Sequence, residues 1–157
     1  MARTAIGRIA LFSIRPHFAS AIFRGEKSVE LRRKPISDDV THIVVYATAP
    51  VKAVIGWFEV DGIDQGSKSQ IWERHGSAAW ISRREYRDYY SGAGNAVAIR
   101  VANAQELSSP VPIDAIPGVL RAPQSFQYID SVSVPLLFEK QGRRPKIHSP
   151  GKPKRFI

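Results

Sequence analysis

The stretch Gly25-Glu26-Lys27-Ser28-Val29-Glu30-Leu31-Arg32-Arg33-Lys34 alternates charged and apolar side chains directly after a glycine that is suited to end a helix. Side chains alternate between the two faces of a strand, so the pattern predicts a strand whose Val29 and Leu31 enter a core. The polar residues of the opposite face are Ser28, Glu30, Arg32 and Lys34. Lys27, in the preceding turn, can reach over Glu30, so a carboxylate and cations share one surface.

The surrounding sequence predicts a predominantly β core with short helices. Residues 8–14 form a predicted first strand, and a helix is expected from Pro16 to Arg24. Further strands are predicted at residues 42–47, 52–60 and 95–101, with weak strand signals in 126–138 and one helical turn at 113–116. Ser67 and Ser82 each precede a Gln or Glu by three positions, which predicts two capped short helices. Gly56 is expected to mark a bulge or a close approach.

Length and composition indicate one domain with a hydrophobic core, because a chain of 157 residues with 43% hydrophobic content can bury enough apolar surface. The chain contains no cysteine, which removes disulfides and thiolate chemistry and suits a reducing compartment. No apolar run approaches about 20 residues, and the N-terminal apolar stretch is too short for a signal peptide. We therefore expect a cytoplasmic protein without a membrane association.

The net charge of +9 is concentrated at the C-terminal end. Residues 1–138 are predicted to form the domain, and residues 139–157 a basic tail containing proline and glycine. The tail residues expected to contact phosphates are Arg143, Arg144, Lys146, Lys152, Lys154 and Arg155. The alternative is a tail that serves only solubility.

Four segments, in order, resemble an ASCH domain of the PUA-like superfamily. They are Leu11-Phe-Ser-Ile-Arg-Pro16, Gly25-Glu-Lys-Ser-Val-Glu-Leu-Arg32, Tyr46-Ala-Thr-Ala-Pro50 and Pro123-Gln-Ser-Phe126. The family's Gly-x-Lys-x-x-Glu-x-Arg pattern matches Gly25, Lys27, Glu30 and Arg32, and the last segment resembles a bacterial ASCH group labelled transcriptional regulators. The resemblance covers roughly residues 8–135 and implies an α+β fold, a small mixed β-barrel with flanking short helices.

The resemblance also implies an association with RNA through a cleft lined by the motif. Some small family members remove the acetyl group from N4-acetylcytidine, using the motif lysine, a threonine three residues later and a separate glutamate. Here Lys27 matches, Glu30 stands in the threonine position, and Glu59 is a guess for the separate glutamate. Other members are ribonucleases. A DNA-binding regulator is the third alternative, although the short predicted helices show no convincing helix-turn-helix pair.

Lys27 and Glu30 are the candidate catalytic pair, because burial would tune the lysine for acid–base or nucleophilic chemistry and the carboxylate could move a proton. The residues expected to bind RNA or a modified nucleoside are Ser13, Arg15, Lys27, Glu30, Arg32, Tyr46 and Thr48. The structural alternative is a salt-bridge network of Lys27, Glu30 and Arg32 that fixes the turn. No cofactor or metal is predicted, because the four histidines show no paired spacing.

Three aromatic residues on the Arg-rich helix, Tyr86, Tyr89 and Tyr90, could stack on bases, but we expect two of them to pack in the core. Trp57 is likewise expected in the core, and His17 at the rim of the cleft is expected to be solvated rather than a proton shuttle.

Overall fold

A computed structural model describes residues 5–132, and the predicted basic tail lies outside this range. The strands are β1 (Arg8–Ile14), β2 (Val29–Arg32), β3 (Val40–Ala47), β4 (Ala53–Gly66), β5 (Ala96–Val111) and β6 (Phe126–Ile129). The α-helices are α1 (Pro16–Phe23), α2 (Lys68–His75) and α3 (Arg83–Tyr89). Short 3₁₀ turns occupy Gly76–Ala78 and Ile113–Ala115.

The strands form one six-stranded sheet in the order β2-β5-β4-β3-β1-β6. β1 and β3 pair in parallel, and the other neighbours pair antiparallel. The fold is therefore mixed α+β, as predicted. The predicted barrel is not confirmed, since β2 and β6 end the hydrogen-bonded order within residues 5–132.

Local sequence signals account for most element boundaries. Pro16 starts α1, and Gly25 follows its end with a φ of 82°, in the left-handed region that favours glycine. Ser67 and Ser82 both form complete capping boxes, with Gln70 and Glu85 bonding back to the cap backbone. These predictions are confirmed.

Strands β4 and β5 are longer than the sequence predicts. Residues 61–66 are rich in aspartate and glycine and show no strand pattern, yet residues 62–66 pair with residues 96–100 of β5. The partner strand supplies the hydrogen bonds, so β4 continues through a sequence of low intrinsic strand preference. Register shifts at Val54/Gly56, Trp57/Glu59 and Val60/Gly62 bend the pair.

Gly56 marks a close approach, as predicted. A Cβ placed there would clash with the Phe23 ring and the Gln105 carbonyl oxygen. The last turn of α1 therefore packs directly on the β4 backbone, which fixes where the chain leaves α1 and enters the motif.

Both faces of the sheet are covered by apolar side chains. One cluster, including Phe12, Ile22 and Phe58, lies between the sheet and α1. A second, including Leu11, Tyr46 and Trp57, lies on the opposite face under the segment around Ile116. A third joins Val29 and Leu31 of β2 to α2 and α3 through residues such as Ile71, Tyr86 and Tyr90. The predicted inward direction of Val29 and Leu31 is confirmed.

Candidate functional site

A cleft of about 650 Å³ opens where α1, β2 and α3 meet, and we call it the motif cleft. The β1–α1 junction contributes Ser13, Ile14, Arg15 and Phe18. The α1 exit and β2 contribute Lys27, Glu30, Leu31 and Arg32. The α3 side contributes Ile81, Glu85, Asp88 and Tyr89, and Thr48 and Gln124 complete the lining. The volume lies within the range of about 300–1,000 Å³ typical of small-molecule sites.

Lys27 lies at the floor of this cleft and is only 3% exposed. Its Nζ donates to the Ala79 carbonyl oxygen at 2.6 Å and lies 4.9 Å from the centre of the Phe18 ring. Burial lowers the pKa of Lys27, partly offset by the nearby Glu30 carboxylate. An ammonium donates up to three hydrogen bonds, so Lys27 retains donors for a ligand.

Glu30 stands beside Lys27 with its two oxygens in different situations. Oε2 accepts from the Arg32 guanidinium at 3.0 and 3.2 Å. Oε1 forms an ion pair with the Lys27 Nζ at 3.7 Å, beyond ordinary hydrogen-bond length, and takes no hydrogen bond from Arg32. The carboxylate is thus held on one side by a fixed fork and retains an acceptor on the other.

Arg32 ties the two ends of the sheet together. Besides Glu30, its guanidinium donates to the Ser13 carbonyl at 3.1 Å and to the Ser125 hydroxyl at 3.0 Å, and it lies 4.3 Å from the centre of the Phe12 ring. These bonds occupy each nitrogen of the fork. Arg32 therefore positions Glu30, and the salt-bridge network that the sequence offered as an alternative is present.

The opposite wall comes from α3. The Tyr89 residue is 37% exposed, and its hydroxyl donates to the Leu31 carbonyl at 3.2 Å, which holds the ring against β2. Burial raises the pKa of Tyr89, so the hydroxyl stays protonated at neutral pH. Glu85 is held by the Ser82 backbone N–H and hydroxyl, which lowers the pKa of Glu85 and keeps it ionised. An aromatic face and a fixed negative charge thus oppose the Lys27 floor.

Arg15 lies at the α1 N-terminus, exposed at the cleft rim, and its side chain makes no hydrogen bond or ion pair with another residue of the 5–132 range. Unlike Arg32, it is therefore available to a ligand. A guanidinium in this position is suited to phosphate recognition.

Most of the predicted binding residues are close together. Ser13, Arg15, Lys27, Glu30, Arg32 and Thr48 all line the motif cleft. Tyr46 does not, because it shares a face of β3 with Val44 and packs in the second apolar cluster. The predicted tail contacts lie outside the described residues.

The aromatic residues of α3, together with Trp57 and His17, lie where the sequence predicts. Tyr86 and Tyr90 are buried and Tyr89 is partly open, so two of the three tyrosines pack as expected, and Trp57 is buried. His17 is exposed, with its ring 4.0 Å from that of Phe18. Glu59, considered from the sequence as a catalytic glutamate, does not line the cleft. Its carboxylate accepts a hydrogen bond from the Asn103 side-chain amide at 2.9 Å on the β4–β5 pair.

The sequence pattern does not identify the α3 wall as part of the site. The sequence predicts Glu85 only as a helix-capping residue and gives no signal for Asp88. It predicts that Tyr89 could stack on a base but does not predict which surface Tyr89 lies on. The spacing of Glu85, Asp88 and Tyr89 over one helical turn places them on one face, which is the available clue.

Within residues 5–132, no His, Asp and Glu side chains are grouped so that they could hold a metal ion. No helix in that range is long and apolar enough to cross a membrane.

The sheet order, the short helices and the mixed-charge cleft define a small α+β domain with one cleft of about 650 Å³ beside the motif, and comparison with known proteins agrees in fold. The ASCH domain family model matches residues 12–110. An ASCH domain-containing ribonuclease of Zymomonas mobilis is 36% identical over 124 residues, 76% of this chain and 83% of that protein. The chain belongs to the ASCH domain family.

Solved structures show the same fold. The crystal structure of ASCH from Zymomonas mobilis aligns with a TM-score of 0.73 at 34% identity, covering 83% of this chain and 94% of that chain. A serine-to-alanine variant of that protein aligns with a TM-score of 0.74 at the same identity and coverage. The N-terminal domain of Staphylothermus marinus McrB aligns at 0.51 with 10% identity, covering 87% of this chain and 96% of that chain, which supports the fold alone.

Proposed function

We propose that the motif cleft binds one unpaired nucleotide of RNA, with a base over the floor and a phosphate at the rim. The single observation that carries this proposal is the position of Glu30 Oε1, which faces a cleft of nucleotide size beside Lys27 while Arg32 holds the other carboxylate oxygen. A carboxylate oxygen accepts from the exocyclic amine of cytosine. The ASCH ribonuclease similar to this chain supports RNA as the ligand.

The remaining lining suits a nucleotide. The free donors of Lys27 complement base carbonyl oxygens, and the Tyr89 ring offers a face on which a base stacks. Arg15, at the rim, is positioned to contact phosphate. Arg32 has a supporting role in this assignment, since its donors already hold Glu30, Ser13 and Ser125.

The basic tail, residues 139–157, adds nonspecific attraction to phosphates in this proposal, and the domain is residues 1–138. RNA affinity is therefore expected to fall as the salt concentration rises, and to fall less steeply when the tail is removed. We place the protein in the cytoplasm for the compositional reasons given above.

The test is binding of 5′-fluorescein-labelled hexacytidylate RNA at fixed salt, followed by fluorescence anisotropy. Lys27→Met removes the buried ammonium and is expected to weaken binding about tenfold or more, the cost of leaving a charge-assisted hydrogen bond unmade. Lys34→Met removes an equal charge from an exposed position outside the cleft lining and should change affinity only slightly.

Equal losses in the two variants would show that charge alone drives binding and would refute the cleft. A hexadeoxycytidylate competitor of the same length separates RNA from DNA, the regulator alternative. Tighter binding of the DNA strand would move the proposal to DNA.

Hydrolysis of RNA in the same cleft is the second candidate, favoured by the desolvated Lys27 ammonium next to the open Oε1 of Glu30. In this alternative Oε1 takes the proton of a ribose 2′-hydroxyl, whose oxygen attacks the adjacent phosphorus. The bond to the 5′-oxygen breaks, and Lys27 protonates that leaving oxygen. The products are a 2′,3′-cyclic phosphate and a 5′-hydroxyl.

Incubation of labelled RNA with stoichiometric protein tests this step. Cleavage that disappears in Lys27→Met and in a 2′-deoxy substrate supports it, and intact RNA at high protein concentration leaves binding as the function. N4-acetylcytidine in the same assay tests the amidohydrolase alternative, for which Glu30 replaces the threonine three residues after Lys27 and the cleft lining contains Glu85 rather than Glu59.

A further inference from the structure

A second, shallower hollow of about 580 Å³ adjoins the motif cleft, and we call it the Trp80 groove. Trp72, Trp80, Ile81 and Arg83 are among its lining residues. Ile81 also lines the motif cleft, so the two hollows share a wall. A chain that leaves the cleft on this side would enter the groove that Trp80 lines.

The backbone at Trp80 is held in an unusual conformation, with a φ of 57°. A bulky residue in the left-handed region costs free energy and persists where the surroundings fix it. The Ala79 carbonyl, which belongs to the same peptide unit as the Trp80 N–H, accepts from the buried Lys27 ammonium. The Ser28 N–H binds the Ala78 carbonyl at 2.9 Å. Lys27 and Ser28 therefore hold the backbone that leads into Trp80.

The Trp80 side chain is presented toward solvent, with 39% of the residue exposed. The Arg24 guanidinium lies 5.6 Å from its ring centre, and the Phe18 ring meets it edge-on at 6.3 Å. On the groove's other side, the Arg83 guanidinium lies 4.9 Å from the centre of the Trp72 ring. An exposed aromatic ring flanked by guanidinium groups is the combination that holds single-stranded nucleic acid, with bases on the rings and phosphates on the cations.

We infer that Trp80 is the stacking surface for a second unpaired base, adjacent to the nucleotide in the motif cleft, with Arg83 contacting a flanking phosphate. Arg24 is paired with Glu26 at 2.7 Å and supports the Trp80 ring from one side. The ligand class is then single-stranded RNA of at least two nucleotides. This inference rests on the proposed function, and it makes Lys27 a positioning residue for Trp80 as well as a ligand contact. A base-paired duplex is unsuitable, because its bases are already stacked.

Two probes separate the second position from the first: cytidine 5′-monophosphate, which fills only the cleft, and labelled hexacytidylate, which spans both. Trp80→Asn removes the ring and keeps a residue that tolerates a positive φ. It is expected to weaken hexamer binding about tenfold while leaving the mononucleotide affinity unchanged. Trp80→Phe retains a stacking face and should lose no more than a few-fold.

The matched control is Tyr128→Ala, an aromatic residue of similar exposure, 41%, that lines neither hollow. It should leave both affinities near those of the wild type. Thermal melting of each variant establishes that the fold is intact.

The outcomes distinguish the two proposals. Wild-type protein that binds neither probe refutes the proposed function itself. Wild-type protein that binds both, with a Trp80→Asn variant that loses neither or loses both equally, overturns the Trp80 site and leaves the cleft standing. If the variant does not fold, ultraviolet crosslinking of wild-type protein to a hexamer containing 5-iodocytidine decides: a crosslink at Trp80 supports the inference, and crosslinks confined to other residues overturn it.

Discussion

The carboxylates of Asp64 and Glu30 are both bonded by an arginine, and their surroundings differ. Asp64 on β4 accepts from Arg100 at 2.6 Å and from His75 Nε2 at 2.8 Å, on one and the same oxygen, Oδ2, and it lines neither hollow. Glu30 is held by Arg32 on one oxygen and presents the other to the motif cleft. The number of ion pairs is therefore a poor guide to function. An acceptor left open in a concave space is a better one.

The Asp64 network joins three elements near the surface, β4, α2 and β5, and its hydrogen bonds lower the pKa of Asp64 against the opposing effect of burial. The Glu30 network has nearly no access to water: the side chains of Lys27, Glu30 and Arg32 are 3%, 8% and 11% exposed. The same substitution should thus have different consequences in the two places.

The largest expected effect is on removal of the Glu30 carboxylate. Glu30→Ala leaves two buried cations facing each other, and breaking a buried pair in this way costs about 3–5 kcal/mol of unfolding free energy. Urea denaturation measures the change. Glu26→Ala removes a half-exposed carboxylate four residues away and is expected to cost little. Equal small losses in both variants would mean that water already reaches Lys27 and Arg32.

Asp64→Ala is expected to have a smaller effect, about 1–3 kcal/mol of unfolding free energy, because the freed Arg100 and Arg74 side chains can turn to solvent.

RNA affinity should also differ between variants of the two networks. Hexacytidylate binding should fall in Glu30→Gln, which keeps the side-chain shape but loses the charge, and stay unchanged in Asp64→Asn. Loss of binding in Asp64→Asn would show that the second network also supports the site.

The sequence predicts one of these networks and not the other, for a physical reason. Glu30 and Arg32 are two residues apart on one strand, so alternation alone places them on one face. Asp64, His75 and Arg100 meet only because β4 runs beyond its predicted end to pair with β5. Residues 61–66 carry no apolar pattern, and no local rule predicts that contact.

The residues of the cleft could be predicted only in part, also because some contacts depend on tertiary packing. Six of the seven predicted binding residues line it, since they belong to segments next to the motif or at the ends of neighbouring strands. The structure places Tyr46 in the second apolar cluster and not in the cleft lining. β3 is buried on both faces, so its sequence gives no polar side from which to infer the direction of Tyr46. The barrel implied by the family resemblance is not confirmed, and strand patterns could not decide between an open and a closed sheet because they do not encode curvature.

A pH-dependent difference should distinguish Lys27 from the exposed lysines. Its pKa is lowered from 10.5 in the folded protein and returns to the ordinary value on unfolding, so between these two values the unfolded chain binds more protons. Wild-type stability should therefore rise with pH toward about 10.5 relative to Lys27→Met, by about 1.4 kcal/mol for each pH unit that separates the folded and unfolded pKa values. Parallel melting curves taken from pH 7 to 10.5 measure the difference, with Lys34→Met as the control. If the stability of the wild type relative to Lys27→Met instead falls as the pH rises, pairing with Glu30 has a larger effect on the pKa of Lys27 than burial has.

The smallest expected effect concerns the exposed pair of Arg8 with Asp39, which joins β1 to the start of β3 at the solvent-exposed surface. Hydrogen bonds from Arg8 and from Ser37 lower the pKa of Asp39 to about 2. Because the folded value lies below the unfolded one, the stabilisation is present above about pH 3.8 and is lost as the pH falls toward 2. Asp39→Asn should therefore differ slightly from the wild type in melting temperature at pH 6 in low salt, and the two should converge at pH 2 or in 1 M salt. A difference at pH 6 that survives high salt would show that this exposed pair acts through hydrogen bonding rather than charge.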